Sequence, residues 1–235
     1  MDKVKERKNN IGSLFDNIAK HYDLLNHLLS LNIDKIWRRK AIKNLSTTKE
    51  NLLDIATGTC DFALEKIKQD KAKNITGIDL SKEMLAVGKQ KVEKANLSSR
   101  ITLQQEDCTN LSFPDESFDA LTCAFGVRNF NNLDKGLEEM FRVLKPKSEI
   151  VILEFSYPKN VIIRFFYNFY FTCILPLIGK LISKDKSAYT YLPKSVKGFI
   201  WGEAFLSHLT KVGFSNTEYK TLTFGIATIY KAVKE

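Results

Sequence analysis

The chain has 235 residues, with 36 lysines and arginines against 27 acidic residues, a formal net charge of +9, and 44% hydrophobic and 27% charged side chains. That balance excludes a disordered chain, and the length suits one α/β domain with an insertion better than two separate domains. The lysines are scattered and form no dense block beside aromatics, which argues against a nucleic-acid partner and leaves a solvated surface or an anionic membrane face as the meaning of the charge.

Residues 9 to 45 read as helical, because Phe15, Ile18 and Ala19 and then Leu24, Leu25, Leu28 and Leu29 recur at three- and four-residue steps. Asn51 to Ala56 is a short apolar run and reads as a buried parallel strand, followed by helical spacing over Cys60 to Gln69. Asn74 to Leu80 is a second strand, and Ser81 is placed to cap the helix after it. Arg100 to Gln104 and Ser117 to Ala124 are the third and fourth strands. A helix over Leu133 to Leu144 stops at Lys145-Pro146, and Glu149 to Phe155 is the fifth strand. Ala204 to Val212 is a late helix with Gly213 as its C-cap, and runs near 216–223 and 225–233 form a closing antiparallel pair. Strand and helix alternate, so the expected architecture is a twisted, mainly parallel sheet with helices on both faces.

One stretch departs from this rhythm. Val161 to Ile182 is rich in aromatics and carries only Arg164 and Lys180 as charges. A bilayer span needs ~20 apolar residues, and Pro176 interrupts a shorter uncharged run. A buried helix or a lid over an apolar pocket is expected. The four cysteines, Cys60, Cys108, Cys123 and Cys173, include no CxxC pair, so free thiols in a reducing cytoplasm and no metal centre are expected. The first residues lack an apolar run of the secretory kind.

The segment Leu53-Asp54-Ile55-Ala56-Thr57-Gly58-Thr59-Cys60-Asp61 joins the first strand to the helix after it. In an open parallel sheet, ligands bind beyond the carboxyl ends of the strands. Gly58 lets backbone approach a ligand closely. A dinucleotide site would need G-x-G-x-x-G to seat a pyrophosphate, and this loop has one glycine. It suits a cofactor without phosphate, and S-adenosylmethionine is one. Its ribose hydroxyls need a carboxylate at the end of the second strand, where Asp79 stands; its adenine amine needs an acceptor near the end of the third, where Asp107 stands. An acidic residue after a strand is commonly a helix cap, but Gly58, Asp79 and Asp107 at three successive strand ends point together to a nucleoside.

Other segments carry a resemblance. Tyr22-Asp23-Leu24-Leu25-Asn26 with Ser30 and Trp37-Arg38 comes first, then Asp54 to Asp61 and Phe125-Gly126-Val127-Arg128-Asn129. Arg142-Val143-Leu144-Lys145-Pro146 leads to Glu154-Phe155-Ser156, and Ile182-Ser183 to Ser195-Val196 encloses Ala188-Tyr189-Thr190-Tyr191-Leu192-Pro193. In this order and spacing, over nearly the whole chain, they resemble the ubiquinone/menaquinone biosynthesis C-methyltransferase family. The resemblance implies a Rossmann-like class I S-adenosylmethionine-dependent methyltransferase, a seven-stranded mostly parallel sheet with helices on both faces. It implies one domain over 1–235, with an N-terminal helical cap at 1–48 and an apolar substrate-side insertion at 158–200. The cofactor contacts it implies are Thr59, Asp79 and the Asp107-Cys108 pair, beside Gly58. There are departures: Cys60 stands where the family usually has glycine and should narrow the approach to the methionine end. Lys147-Ser148 replaces a Gly-Gly turn, Asn32 replaces a glycine, and Ala124 sits where some members have a serine.

Methyl transfer to carbon needs an electron-rich ring, which a quinol provides once a hydroxyl is deprotonated. Arg128, after the fourth strand, is the first choice to stabilise the phenolate, with Asn129 orienting it; a guanidinium stays protonated and is no simple base. Tyr22, His21 and Asp23 are secondary candidates, with His27 and His208 behind them. Tyr189 and Tyr191 are candidates for the ring pocket. The expected substrate is demethylmenaquinol, with a ubiquinone precursor, or an O- or N-methyl acceptor, as the alternatives. A prenylated quinol partner, a peripheral contact with the inner face of the membrane from a cytoplasmic location, and a homodimer complete the expectations. Against a nucleic-acid methyltransferase, no Asn/Asp-Pro-Pro-Tyr/Phe motif follows the fourth strand; a non-catalytic quinone-binding module is opposed by the intact Asp79 and Asp107.

Overall fold

The computed structural model describes residues 12–19, 22–174 and 187–235. Three helices open the chain: α1 (12–18), α2 (Tyr22–Leu29) and α3 (Ile33–Ile42). The helical reading of 9–45 is therefore broken, most clearly where Leu31 and Asn32 take φ 52° and 61°. Asn32 accepts the left-handed backbone that its resemblance to a glycine position suggests.

The alternation then runs β1 (Lys49–Ile55), α4 (Asp61–Lys68), β2 (Ala72–Asp79), α5 (Lys82–Lys94), β3 (Ile101–Gln105), β4 (Phe118–Ala124), α6 (Leu133–Val143) and β5 (Leu144–Phe155). After α7 (Val161–Phe169) and a π-type turn at Tyr170–Ile174 come α8 (Ser187–Gly198), α9 (Glu203–Val212), β6 (Ser215–Leu222) and β7 (Ala227–Lys234). The strands form one seven-stranded sheet in the order β3-β2-β1-β4-β5-β7-β6. Neighbours from β3 to β5 are parallel; β7 runs antiparallel to both β5 and β6. The order reverses between β1 and β4, and the crevice beyond their carboxyl ends is where such a sheet takes ligands.

Period-two burial divides the core. Leu52, Ile75, Ala120 and Val151 face a layer containing Trp37, Ala41 and Ile42 of α3 and Phe62 and Ala63 of α4. Leu53, Ile78, Leu121 and Ile152 face Leu137 and Met140 of α6 and Phe205 and Leu209 of α9. Both faces are thus covered, as a parallel sheet requires. The N-terminal α1 lies over α5, where Ile18 and Ala19 pack with Met84.

Caps behave as expected: Ser81 accepts from the Met84 amide at 3.1 Å, and Gly213 ends α9 with φ 118°. The fifth strand begins earlier than its apolar run. Helix α6 stops before Leu144, and the chain passes directly into β5, with a register shift between Phe118↔Leu144 and Ala120↔Glu149 and Lys147 at φ 60°. The described part of the apolar stretch, residues 161–174, is not a buried helix. Val161, Ile162, Phe165, Phe166 and Phe169 of α7 are exposed, and Tyr167 is buried; residues 175–182 lie outside the described chain.

Candidate active site

Beyond β1 the chain turns through Ala56 (φ 52°), Gly58 (φ 56°) and Cys60 (φ 69°). An added Cβ on Gly58 would meet nothing within 4 Å, so it is the left-handed backbone and open ground for a ligand, not crowding, that favour glycine there. The Gly58 amide donates to Asp79 Oδ2 at 2.8 Å, and the Ser81 amide donates to Oδ1 at 2.9 Å. Burial pushes the Asp79 carboxyl above the ordinary carboxylate range, against the pull of N–H groups from Ser81, Gly58 and Leu80, and nearby Asp16 adds to the rise. A carboxylate oxygen can accept more than one bond, so both retain capacity for hydroxyl donors.

The loop is pinned from beneath by Asp54. Its Oδ1 accepts from Lys66 Nζ at 2.5 Å and Thr122 Oγ1 at 2.6 Å, and its Oδ2 from Thr57 Oγ1 at 2.7 Å. Lys66 is fully buried; burial pulls its ammonium below the ordinary lysine range while Asp54 pulls it back. Cys60 does not narrow the cofactor approach as the sequence suggested. Its left-handed backbone turns Sγ toward Gly88 of α5, where an added Cβ would sit 2.5 Å away. Burial, with the Asp54 charge, pushes this thiol up to about 12.

A cavity enclosing about 740 Å³ of empty space, part of it open to solvent, lies at the strand ends. Gly58, Asp79, Asp107, Cys108, Tyr22 and Asn129 all line it. Asp107 also organises its own turn, its Oδ1 accepting from the Thr109 amide at 3.0 Å and hydroxyl at 2.8 Å. Gly126 lets the loops after β1 and β4 meet, since a Cβ there would lie 2.5 Å from that of Ala56. Thr59 is buried at the edge of a smaller polar recess, and its hydroxyl donates to Asp23 Oδ1 at 2.5 Å. Lys91 bridges Asp23 and Asp61 at 2.6 and 2.5 Å, and the Ser81 hydroxyl donates to Asp16 at 2.5 Å. Polar contacts thus fasten the N-terminal helices over the cavity.

Arg128 sits in a 3₁₀ turn, Val127–Asn129, and is held by a fully buried acid. Its Nη1 donates to Glu154 Oε1 at 2.7 Å and to the Phe125 carbonyl at 2.5 Å, and its Nε to Ser195 Oγ at 3.3 Å. The guanidinium lies 5.2 Å from the Phe155 ring centre. Burial works against the charge, but Glu154 and the fields of Tyr22 and Tyr191 hold the guanidinium above its ordinary range. Asn129 does not orient Arg128; its Oδ1 accepts from the Tyr191 hydroxyl at 2.7 Å, which ties α8 to the cavity wall. Burial raises the Tyr22 hydroxyl, opposed by a bond with Asn26 and by the charges of Arg128 and Arg38.

The secondary candidates separate. Asp23 serves the fastening just described, and His27 Nδ1 donates to Asp34 Oδ2 at 2.9 Å while its Nε2 lies 3.4 Å from Asp61 Oδ2. His208 pairs with Asp134 on another face. His21 and the Tyr189 side chain lie outside the described residues. Sequence reasoning left Arg38, Lys91 and Glu154 without roles, although Arg38 and Glu154 stood inside the quoted motifs.

A second, apolar cleft of about 1160 Å³, open at one side, is walled by Trp37, Phe155, Ile163, Phe166, Tyr167 and Phe224 among others. Its rim residues Leu31, Phe166 and Phe224 are exposed and continue into the bare face of α7. Among the described residues, no helix is long and apolar enough to cross a membrane.

Comparison with known proteins places this geometry. The model of the ubiE/COQ5 methyltransferase family matches residues 1–234. A demethylmenaquinone methyltransferase of Bacteroides fragilis is 46% identical over 230 residues, covering 97% of this chain and 94% of that one. A ubiquinone/menaquinone biosynthesis C-methyltransferase UbiE of Geotalea daltonii is 47% identical, covering all of both chains. Among solved structures, the [4+2]-cyclase SpnF superposes with a TM-score of 0.72 at 17% identity, covering 97% and 96% of the two chains. A Haemonchus contortus phosphoethanolamine N-methyltransferase 2, solved with S-adenosyl-L-methionine, has a TM-score of 0.63 at 16% identity, over 84% of this chain and 52% of that one. The structural likenesses speak for the fold alone, which hosts more than one chemistry.

Proposed function

The chain belongs to the ubiE/COQ5 methyltransferase family and is an S-adenosylmethionine-dependent C-methyltransferase, and from that premise we propose how its residues methylate the ring of demethylmenaquinol to give menaquinol. The observation that carries the reading is the Gly58 amide bonded to Asp79 in a cavity that Asp107, Tyr22 and Asn129 also line. The cavity fits the cofactor: acidic groups for hydroxyl and amine donors, open ground above Gly58, and no phosphate-seating glycine repeat.

When bound, S-adenosylmethionine supplies an electrophilic methyl group. In this reading Asp79 accepts from the ribose hydroxyls and Asp107 from the adenine amine, with Cys108 lining the cavity beside it. Helices α1, α2 and α3 close over the site and exclude water, which favours an in-line displacement on carbon. Tyr22 hydrogen-bonds the quinol hydroxyl. Arg128, held by Glu154, supplies the fixed positive charge that favours the phenolate form of the ring and so the nucleophilic ortho carbon. Three of its five N–H groups already serve Glu154, Phe125 and Ser195, which fixes its position, and it acts on the ring through its field. Asn129 and Tyr191 hold α8 against the ring side of the cavity.

The prenyl tail occupies the apolar cleft, where each buried CH₂ contributes ~0.8 kcal/mol. The exposed α7 face rests on the membrane that dissolves such a tail, with Lys159 and Arg164 near it to meet anionic headgroups. The test is product analysis by mass spectrometry, using purified protein, S-adenosylmethionine and a reduced short-chain demethylmenaquinone. A product one methyl heavier, with the methyl on the ring carbon, supports the reading; methylation on oxygen, or turnover of a ubiquinone precursor alone, overturns it.

A further inference from the structure

Arg38 presents an unexplained donor. The residue is 8% exposed, and its Nε is buried with no hydrogen-bond partner. Leaving a buried donor unsatisfied costs its desolvation, more for a charged group, so such an atom needs a reason. The rest of the side chain is firmly placed. Its Nη1 donates to Asp34, and its guanidinium lies 5.4 Å from the Phe125 ring centre. Asp34 is itself held by the Ser30 hydroxyl at 2.6 Å and His27 Nδ1 at 2.9 Å.

Arg38 faces the polar recess of about 330 Å³ beneath the β1 loop, together with Thr59 and Asp61. Tyr22, Ala56, Gly58 and Ala124 line both this recess and the main cavity, so the two meet at Gly58. With the ribose and adenine of the cofactor on the Asp79 and Asp107 side, its amino-acid end has to run the other way past Gly58. That end carries a carboxylate, whose natural complement is a pre-positioned guanidinium with a spare N–H.

Resting on the cofactor reading above, we propose that Arg38 binds the α-carboxylate of the methionine moiety, donating to it from its free N–H edge in the recess below Gly58. Asp34 is then a positioning residue: it fixes the fork without using Nε. Asp61 and Asp54 are the other charged walls of the recess; Asp61 is already claimed by Lys91 at 2.5 Å and approached by His27, and Asp54 is claimed by Lys66 at 2.5 Å, so neither competes for Arg38.

The test is calorimetric titration of the full chain with two ligands. S-adenosylhomocysteine carries the carboxylate; 5′-methylthioadenosine has the same nucleoside and lacks the amino acid. The wild type should bind S-adenosylhomocysteine more tightly. Arg38→Met should weaken it ~10- to 100-fold, the range of a lost charge-assisted bond, and leave 5′-methylthioadenosine unchanged. Arg38→Lys, which keeps the charge but not the fork, should fall between. Equal losses for both ligands, or no loss for either, overturn the assignment. If Arg38→Met does not fold, decarboxylated S-adenosylmethionine against S-adenosylmethionine on the wild type and on Arg38→Lys decides, since a carboxylate clamp requires a smaller difference in the variant. A wild type that binds neither nucleoside removes the cofactor reading, and the clamp with it.

Discussion

The Gly58 amide and the Asp79 carboxylate meet at 2.8 Å, joining the turn after β1 to the end of β2. One bond thereby shapes the loop and presents the carboxylate to the cavity. Asp79→Ala should abolish measurable S-adenosylmethionine binding while the fold persists. The pH dependence has a defined sign. The Asp79 carboxyl is raised by burial, so it protonates at higher pH than an ordinary carboxylate, and only the ionised form accepts fully from the ribose. Cofactor affinity should therefore decline as pH falls, beginning above the usual Asp value of about 3.9. Titrations across that range check it; an affinity flat down to the ordinary value contradicts it.

Arg128 and Glu154 form a buried pair at 2.7 Å with side chains 5% and 0% exposed. Removing one partner strands the other's charge, at ~3–5 kcal/mol. Arg128→Ala should lower stability by about that amount and slow turnover, while cofactor binding is largely kept. Arg128→Met with Glu154→Gln should recover much of the stability but not the rate. Denaturant unfolding and turnover measured together separate these roles, and full turnover by Arg128→Ala would remove Arg128 from the mechanism.

Lys66 and Asp54 are buried beneath the cofactor loop at 2.5 Å. Lys66→Met should cost ~3–5 kcal/mol, because Asp54 is left charged in the core. It should also weaken the cofactor, since Asp54 holds Thr57 just before Gly58. Unfolding curves and calorimetry of the variant read both effects.

Glu149 is one of the carboxyls whose ionised form stabilises the fold. Burial alone would raise this carboxyl, but Lys49, Ser46 and Lys231 overcome it and lower it to about 2. A depressed carboxyl stabilises the fold above its unfolded value of about 4.3, and that contribution is lost as pH falls from there toward about 2. Glu149→Gln should flatten the stability curve over this interval and lower stability at neutral pH, by chemical denaturation at a series of pH values.

The α7 face yields a separable expectation. Phe165 and Phe166 are exposed side by side on it. Replacing both with Asp should cut co-sedimentation with anionic vesicles several-fold while leaving S-adenosylhomocysteine affinity unchanged; undiminished vesicle binding would place the membrane contact elsewhere.

Local patterns carried the alternation, the caps at Ser81 and Gly213, and the strand-end residues Gly58, Asp79 and Asp107, because each depends on a few neighbouring residues. The Arg128–Glu154 pair was not legible: it joins residues 26 apart, and only the β4–β5 pairing brings them together. Cys60 was misjudged because its φ of 69° turns the thiol to Gly88. Apolar composition marked 161–182 as a buried helix or a lid over an apolar pocket but could not tell core from bare surface, since both read as continuous hydrophobicity. Arg38 was visible only as part of a motif; its significance is an atom without a partner, which needs coordinates.

The most direct measurement is a crystal structure of the complex with S-adenosylhomocysteine. Ribose hydroxyls within hydrogen-bond distance of Asp79, with the adenine amine at Asp107, are the expected result. An adenosyl group seated away from the Gly58 turn would contradict the account.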